Sequence, residues 1–218
     1  MKQILCFGDS NTYGLIPETK DRYDWDTRWS GRIGQRLWED GCRIVEEGLC
    51  GRTTVFDDPL RDGRRGTELL SVILETHKPV DVVVLMLGTN DCKTVYDASA
   101  EVIGRGVERL LDQIRSSAPD SKVLLMSPIA LGEGVGEEGY DPEFDERSVA
   151  VSKRLPDVYR RIAHERGISF LAASEYAKPS TADREHMNEE GHAALAEAVY
   201  VKLKEMLAGE KENAQIPA

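Results

Sequence analysis

The 218-residue sequence contains no apolar run long enough to span a bilayer. Its first residues, Met1-Lys2-Gln3, lead into an apolar stretch of only four, Ile4 to Phe7, which is too short for a secretory core. The expectation is a cytoplasmic protein that does not insert into membranes. The four cysteines (Cys6, Cys42, Cys50 and Cys92) form no CxxC pair. Reduced, mostly buried thiols are therefore expected, with no disulfide framework and no metal site. Basic residues are also short: 28 Lys and Arg face 39 Asp and Glu, for a net charge of −11. That balance opposes a nucleic-acid partner, which needs a basic footprint. Neither GxGxxG nor GxxxxGK[ST] follows the first strand, where a phosphate cradle would sit, which argues against a nucleotide cofactor.

What remains is ordinary globular material, 40% hydrophobic and 31% charged. Short β-like runs are expected near 3–7, 43–47, 80–87, 122–127 and 168–172. The third, Val80-Asp81-Val82-Val83-Val84-Leu85-Met86-Leu87, reads as a strand covered on both faces. Between these runs lie patterns of helical period. Val102, Ile103, Val107, Leu110, Leu111 and Ile114 mark one helix; Val151, Leu155, Val158 and Ile162 mark another, which Pro156 should kink or restart. Leu195, Val199, Leu203 and Met206 mark a last helix, and two more fall near 29–40 and 66–77. Strands alternating with helices predict an α/β fold with a parallel sheet covered on both faces. Residues 1–208 are expected to form one domain and 209–218 a disordered tail. Two longer irregular stretches, Leu15 to Thr27 and Ile129 to Asp145, read either as substrate-binding edges or as surface loops.

In such a sheet, reactive groups gather on the loops at the carboxyl ends of the strands. After the first strand comes Gly8-Asp9-Ser10-Asn11, where the glycine permits a tight turn and Ser10 opens a helical turn with its hydroxyl available. After the second comes Gly48-Leu49-Cys50-Gly51, whose last residue is either an oxyanion donor through its backbone N–H or a plain turn glycine. After the third comes Gly88-Thr89-Asn90-Asp91, where the Asn90 amide can donate to an oxyanion or merely open an Asx turn. Near the C-terminus Asp183 stands three residues before His186, close enough to fix its tautomer. His192 is its rival and reads as a residue of the last helix, while His77 and His164 read as surface or C-terminal helix residues.

These four blocks, in this order, resemble the SGNH hydrolases, also called GDSL esterases, over residues 4 to about 207. The segments Arg28-Trp29-Ser30-Gly31 and Met86-Leu87-Gly88-Thr89-Asn90-Asp91 look most like the bacterial arylesterase and acyltransferase branch. The resemblance implies a three-layer α/β/α sandwich around a five-stranded parallel sheet, flavodoxin-like in topology. It implies a serine esterase acting on short-chain or aryl esters through an acyl-enzyme, with acyl transfer as a further activity. Ser10, Asp183 and His186 would form the triad. The amides of Ser10 and Gly51 and the Asn90 side chain would form the oxyanion hole. Asp9, Asn11, Thr89 and Lys93 are weaker candidates for lining the substrate site, Lys93 being equally readable as a solvated lysine. The sequence departs from the branch at Asn11, at Leu15 and at Glu185, which precedes the histidine where that branch favours an apolar residue. No cofactor is expected. The partner is a small ester, and self-association stays open. Carbohydrate deacetylase, thioesterase, lysophospholipase and a non-catalytic binding module are the alternatives.

Overall fold

A computed structural model describes residues 1–213, with side chains described through residue 208. Five strands, β1 (Lys2–Gly8), β2 (Cys42–Gly48), β3 (Val82–Met86), β4 (Lys122–Ser127) and β5 (Ser169–Ala172), form one parallel sheet in the order β2-β1-β3-β4-β5. The order reverses between β1 and β3, which opens a crevice at their carboxyl ends. Strand alternation divides the core. Leu5, Phe7, Val83, Leu85 and Leu125 face one side; Ile4, Cys6, Val82, Val84, Met86, Leu124 and Met126 face the other. The first face is covered by α3 (Gly66–Thr76), α4 (Ala100–Ser117) and α5 (Glu146–Arg166). The second is covered by α2 (Trp29–Trp38) and α6 (Glu189–Asn213). Residues 4–7 of β1 are all fully buried. Each large apolar side chain so placed stabilises the fold by about 1.5–3 kcal/mol, and β1 is thereby fixed where the crevice opens.

The third strand is shorter than its apolar run. Asp81 closes the ladder at its start: its carboxylate accepts from the Gln3 N–H at 2.7 Å, while its own N–H still donates to the Gln3 carbonyl at 2.9 Å. The α5 helix does not restart at Pro156. Leu155, Val158, Tyr159 and Ile162 bury one face of it, and that packing outweighs the single backbone bond a proline removes. Its start is fixed by a capping box between Asp145 and Ser148, and its end by Gly167 in the left-handed conformation. The last helix runs on to Asn213, beyond the domain end expected at 208; residues 214–218 of the expected tail lie outside the described residues. Among the described residues, no helix is long and apolar enough to cross a membrane.

Candidate active site

The crevice is built first by β1. The strand ends at Gly8, where a Cβ would lie 2.1 Å from the Thr12 hydroxyl and 2.9 Å from the Met86 carbonyl. Only glycine lets the chain turn this closely against β3. The turn delivers Ser10 as the first residue of the four-residue helix α1 (Ser10–Tyr13). Its N–H belongs to the first turn, where amides have no partner within the helix. Asp9 caps that helix by accepting from the Asn11 N–H at 3.0 Å.

From the far end of the chain, the segment between β5 and α6 brings its own groups to the same place. In its neutral form His186 accepts from the Ser10 hydroxyl through Nε2 at 2.8 Å and donates through Nδ1 to Asp183 Oδ2 at 2.7 Å. The tautomer follows from the partner: an ionised carboxylate only accepts, so Nδ1 carries the proton and Nε2 faces the serine with a lone pair. Asp183 Oδ1 accepts in turn from the N–H groups of Glu185 and His186 at 3.0 and 2.9 Å. Lys20, from the first long loop, donates to Asp183 Oδ2 at 2.7 Å. Burial alone would raise the Asp183 pKa; its bonds and charge pairing with His186 and Lys20 outweigh that and hold it well below the usual range. Burial likewise opposes the charged form of His186, yet Glu185 and Asp183 outweigh it and raise the pKa of the ring.

The other walls follow. Gly51 sits at φ +82°, a conformation that suits glycine, and the Arg61 guanidinium lies over its α-carbon. Asn90, opening a 3-10 turn after β3, commits one amide hydrogen to the Arg52 carbonyl at 3.1 Å and has a second for the cleft. Arg52 underlies this corner, donating to the carbonyls of Gly8 and Glu47 and stacking 4.1 Å over the Phe7 ring. Asp91 is fully buried and accepts from the Thr54 N–H and hydroxyl, tying the second crevice loop to the third. Burial still pushes its carboxyl up to about 6.

Ser10, Gly51, Asn90, Lys93 and His186 line one cleft of about 210 Å³ together with Leu15, Lys20, Cys50, Arg61, Asp141, Glu143 and Glu185. Three of the weaker sequence candidates are not on that wall. Asp9 and Thr89 are buried beneath the site. Asn11 is turned onto the segment that carries the histidine: it accepts from the Met187 N–H at 2.9 Å and donates to the Glu185 carbonyl at 3.5 Å. Lys93 does reach the cleft, but as a buried cation paired with Glu143 at 2.7 Å and Asp58 at 3.7 Å, not as a solvated side chain. His192 is a helix residue, fully buried, accepting from the Trp29 N–H at 3.3 Å. Burial, then the charges of Arg32 and Arg28, push it down to about 3 and keep it neutral.

Sequence reading missed Lys20, Arg61, Asp141, Glu143 and Glu185 as cleft residues. Lys20, Asp141 and Glu143 lie in the two irregular stretches read as either substrate-binding edges or surface loops, which singled out no residue; Arg61 lies in a loop outside both. Glu185 had a local signal, its place next to His186.

Residues 6–194 match the GDSL-like lipase/acylhydrolase family. Among solved structures, the carbohydrate acetylesterase Est24 of Sinorhizobium meliloti is 32% identical, with a TM-score of 0.87 over 94% of this chain and 100% of that one. The inhibitor-bound aryl esterase of M. smegmatis is 31% identical, with a TM-score of 0.88 over 94% of this chain and 99% of that one. No curated protein matches the sequence.

Proposed function

The chain belongs to the GDSL-like lipase/acylhydrolase family of carboxylic ester hydrolases, and from that premise we propose that it removes short acyl groups, acetyl above all, from polar alcohols through a covalent intermediate on Ser10. The observation that carries this reading is the unbroken run of contacts from Asp183 to His186 to Ser10, at 2.7 and 2.8 Å. His186 Nε2 takes the hydroxyl proton as Ser10 Oγ attacks the ester carbonyl. The N–H groups of Ser10 and Gly51 and the second amide hydrogen of Asn90 receive the tetrahedral oxyanion. Asp183 steadies the imidazolium. His186 then protonates the leaving alcohol, and water enters to release the acid.

The size and lining of the cleft support the choice of substrate. About 210 Å³ suits a small acyl group, below the range usual for drug-sized ligands. The wall carries Lys20, Arg61, Lys93, Asp141, Glu143 and Glu185 and is more polar than apolar, which favours hydroxyl-rich leaving groups over long aliphatic ones. A carbohydrate O-acetyl ester fits that chemistry as well as a simple short-chain ester, and one solved relative is described as a carbohydrate acetylesterase. The test is Ser10→Ala assayed on p-nitrophenyl acetate, followed by a chain-length series on the unmodified protein with acetylated sugars alongside. Turnover by a folded Ser10→Ala protein equal to the unmodified one would overturn the assignment. Turnover rising from acetate to octanoate would overturn the substrate.

A further inference from the structure

The Glu185 carboxylate lies 3.5 Å, through Oε1, from the same His186 nitrogen that faces Ser10. The side chain is almost fully buried and still lines the cleft. The hydrolase chemistry described above makes no use of it. Its backbone groups are occupied, the N–H by Asp183 and the carbonyl by Asn11, so the peptide that carries the carboxylate is fixed.

We propose that Glu185 is a catalytic residue that selects water as the acyl acceptor, by accepting a hydrogen bond from the second hydrogen of the water that His186 deprotonates. The inference rests on Ser10 forming an acyl-enzyme. In the second half of the reaction the water oxygen must lie within hydrogen-bond reach of Nε2, in the place the leaving alcohol has vacated. An oxygen about 2.8 Å from Nε2 can lie equally close to Glu185 Oε1, because those two atoms are only 3.5 Å apart. One hydrogen then points to His186 and the other to Glu185. The water oxygen bonds to the acyl carbon as its first proton passes to Nε2. The bond from that carbon to Ser10 Oγ breaks, and the proton returns to Oγ. The second hydrogen stays with the acid product; Glu185 orients it and does not remove it. A simple alcohol has one hydroxyl hydrogen. His186 takes it, and the alkyl group is left against a buried carboxylate, so the same residue that holds water disfavours transfer.

Burial, opposed by the charge of His186 and reinforced by Asp141, Asp183 and Asp9, pushes the carboxyl up to about 7, so the test is run at pH 8, where it is ionised. The unmodified protein, Glu185→Leu and Glu185→Gln are given p-nitrophenyl acetate in buffer containing methanol, and methyl acetate and acetate are measured separately. The ratio of the two products is set after the acyl-enzyme forms, so slower acylation or partial unfolding leaves it unchanged. Glu185→Leu is expected to raise the ratio of methyl acetate to acetate about tenfold or more, the loss of one hydrogen bond to a charged acceptor. Glu185→Gln, which keeps a weaker acceptor, is expected to raise it a few-fold and gives the result if the leucine variant has no measurable activity. A ratio within twofold of the unmodified protein in the variants would overturn the proposal. Labelling of Ser10 by a fluorophosphonate separates the two readings. Normal labelling with an unchanged ratio sinks only the role of Glu185. No labelling in the unmodified protein sinks the acyl-enzyme itself.

Discussion

The two halves of the candidate site are held in place by different means. The serine half hangs from the sheet: Ser10 and Asn90 follow the buried strands β1 and β3, and Arg52 and Asp91 lash their turns together from below. The histidine half spans residues 180–188, a segment with no strand or helix of its own. It is held by one apolar anchor, Met187, fully buried in the second core, and otherwise by polar contacts. The Ser180 N–H donates to the His186 carbonyl at 2.7 Å, the Gly132 N–H donates to the Arg184 carbonyl at 2.7 Å, and Asn11 grips Met187 and Glu185. Hydrophobic burial places a strand end cooperatively, with many contacts sharing the load. A polar clasp places a loop through a few bonds, each of which can be removed singly. The serine half should therefore respond to substitution through its chemistry alone, and the histidine half through its geometry as well.

The largest effect that tests this contrast is expected at Asp183. An asparagine there would turn an amide N–H toward Nδ1 and move the ring proton to Nε2, leaving no lone pair facing Ser10. Asp183→Asn should lower kcat by roughly 10³–10⁴ while the protein stays folded, checked by steady-state kinetics beside circular dichroism. Asn90→Ala comes next. On the proposed mechanism it removes one donor to the oxyanion from the well-anchored half and should lower kcat by about 10²–10³ with little change in KM. Equal turnover in this variant would mean that the second amide hydrogen of Asn90 does not meet the oxyanion.

Asn11 probes the clasp. Asn11→Leu leaves the Met187 N–H buried without its acceptor and lets the histidine segment shift. A misplacement on the order of 1 Å can cost about a hundredfold, and an unpaired buried donor costs about 1–3 kcal/mol. A fall in kcat of about 10–100-fold is expected, with a Tm several degrees lower for a protein of this size. KM should hold. A rise in KM at constant kcat would instead restore Asn11 to the substrate wall, where sequence reading placed it.

That misplacement shows what the residues could and could not disclose. The sheet was legible because strands covered on both faces write themselves as apolar runs: Ile4 to Phe7 and Val82 to Met86 are fully or almost fully buried. The order of the blocks was legible too, since each reactive candidate follows its own strand. The direction of a side chain was not. Asn11 adjoins Ser10, yet its backbone is one step around a helical turn, which aims its amide at residues 185–187 instead of the cleft. The charged wall was only half legible: two of its loops read as substrate-binding edges or surface loops, with no residue singled out. Lys20, Arg61 and Glu143 arrive on loops that the sheet brings together, and nothing local in the sequence marks such a convergence. Lys93 could have been paired or solvated on its sequence alone, and only the approach of Glu143, 50 positions on, decides it.

The smallest expected effect concerns Lys20, and it sharpens the contrast because this residue reaches the histidine half from an exposed loop. Its side chain is 56% exposed, and its ammonium group donates to the Asp183 oxygen that also receives the His186 proton. A cation there disfavours a second positive charge on the imidazole, so it lowers the His186 pKa from where Glu185 and Asp183 would otherwise set it. Replacing it by methionine removes that opposition and raises the pKa further. The base must be neutral to act, so the acid limb of the kcat/KM profile should move to higher pH. Activity should drop below that limb and stay the same at alkaline pH. Exposure limits the shift to less than about one pH unit. Salt supplies the check: at about 1 M ionic strength the screening length falls to roughly 3 Å, so the profile of the unmodified protein should approach that of Lys20→Met. A shift that survives high salt would mean that Lys20 acts by holding the loop, not by its charge.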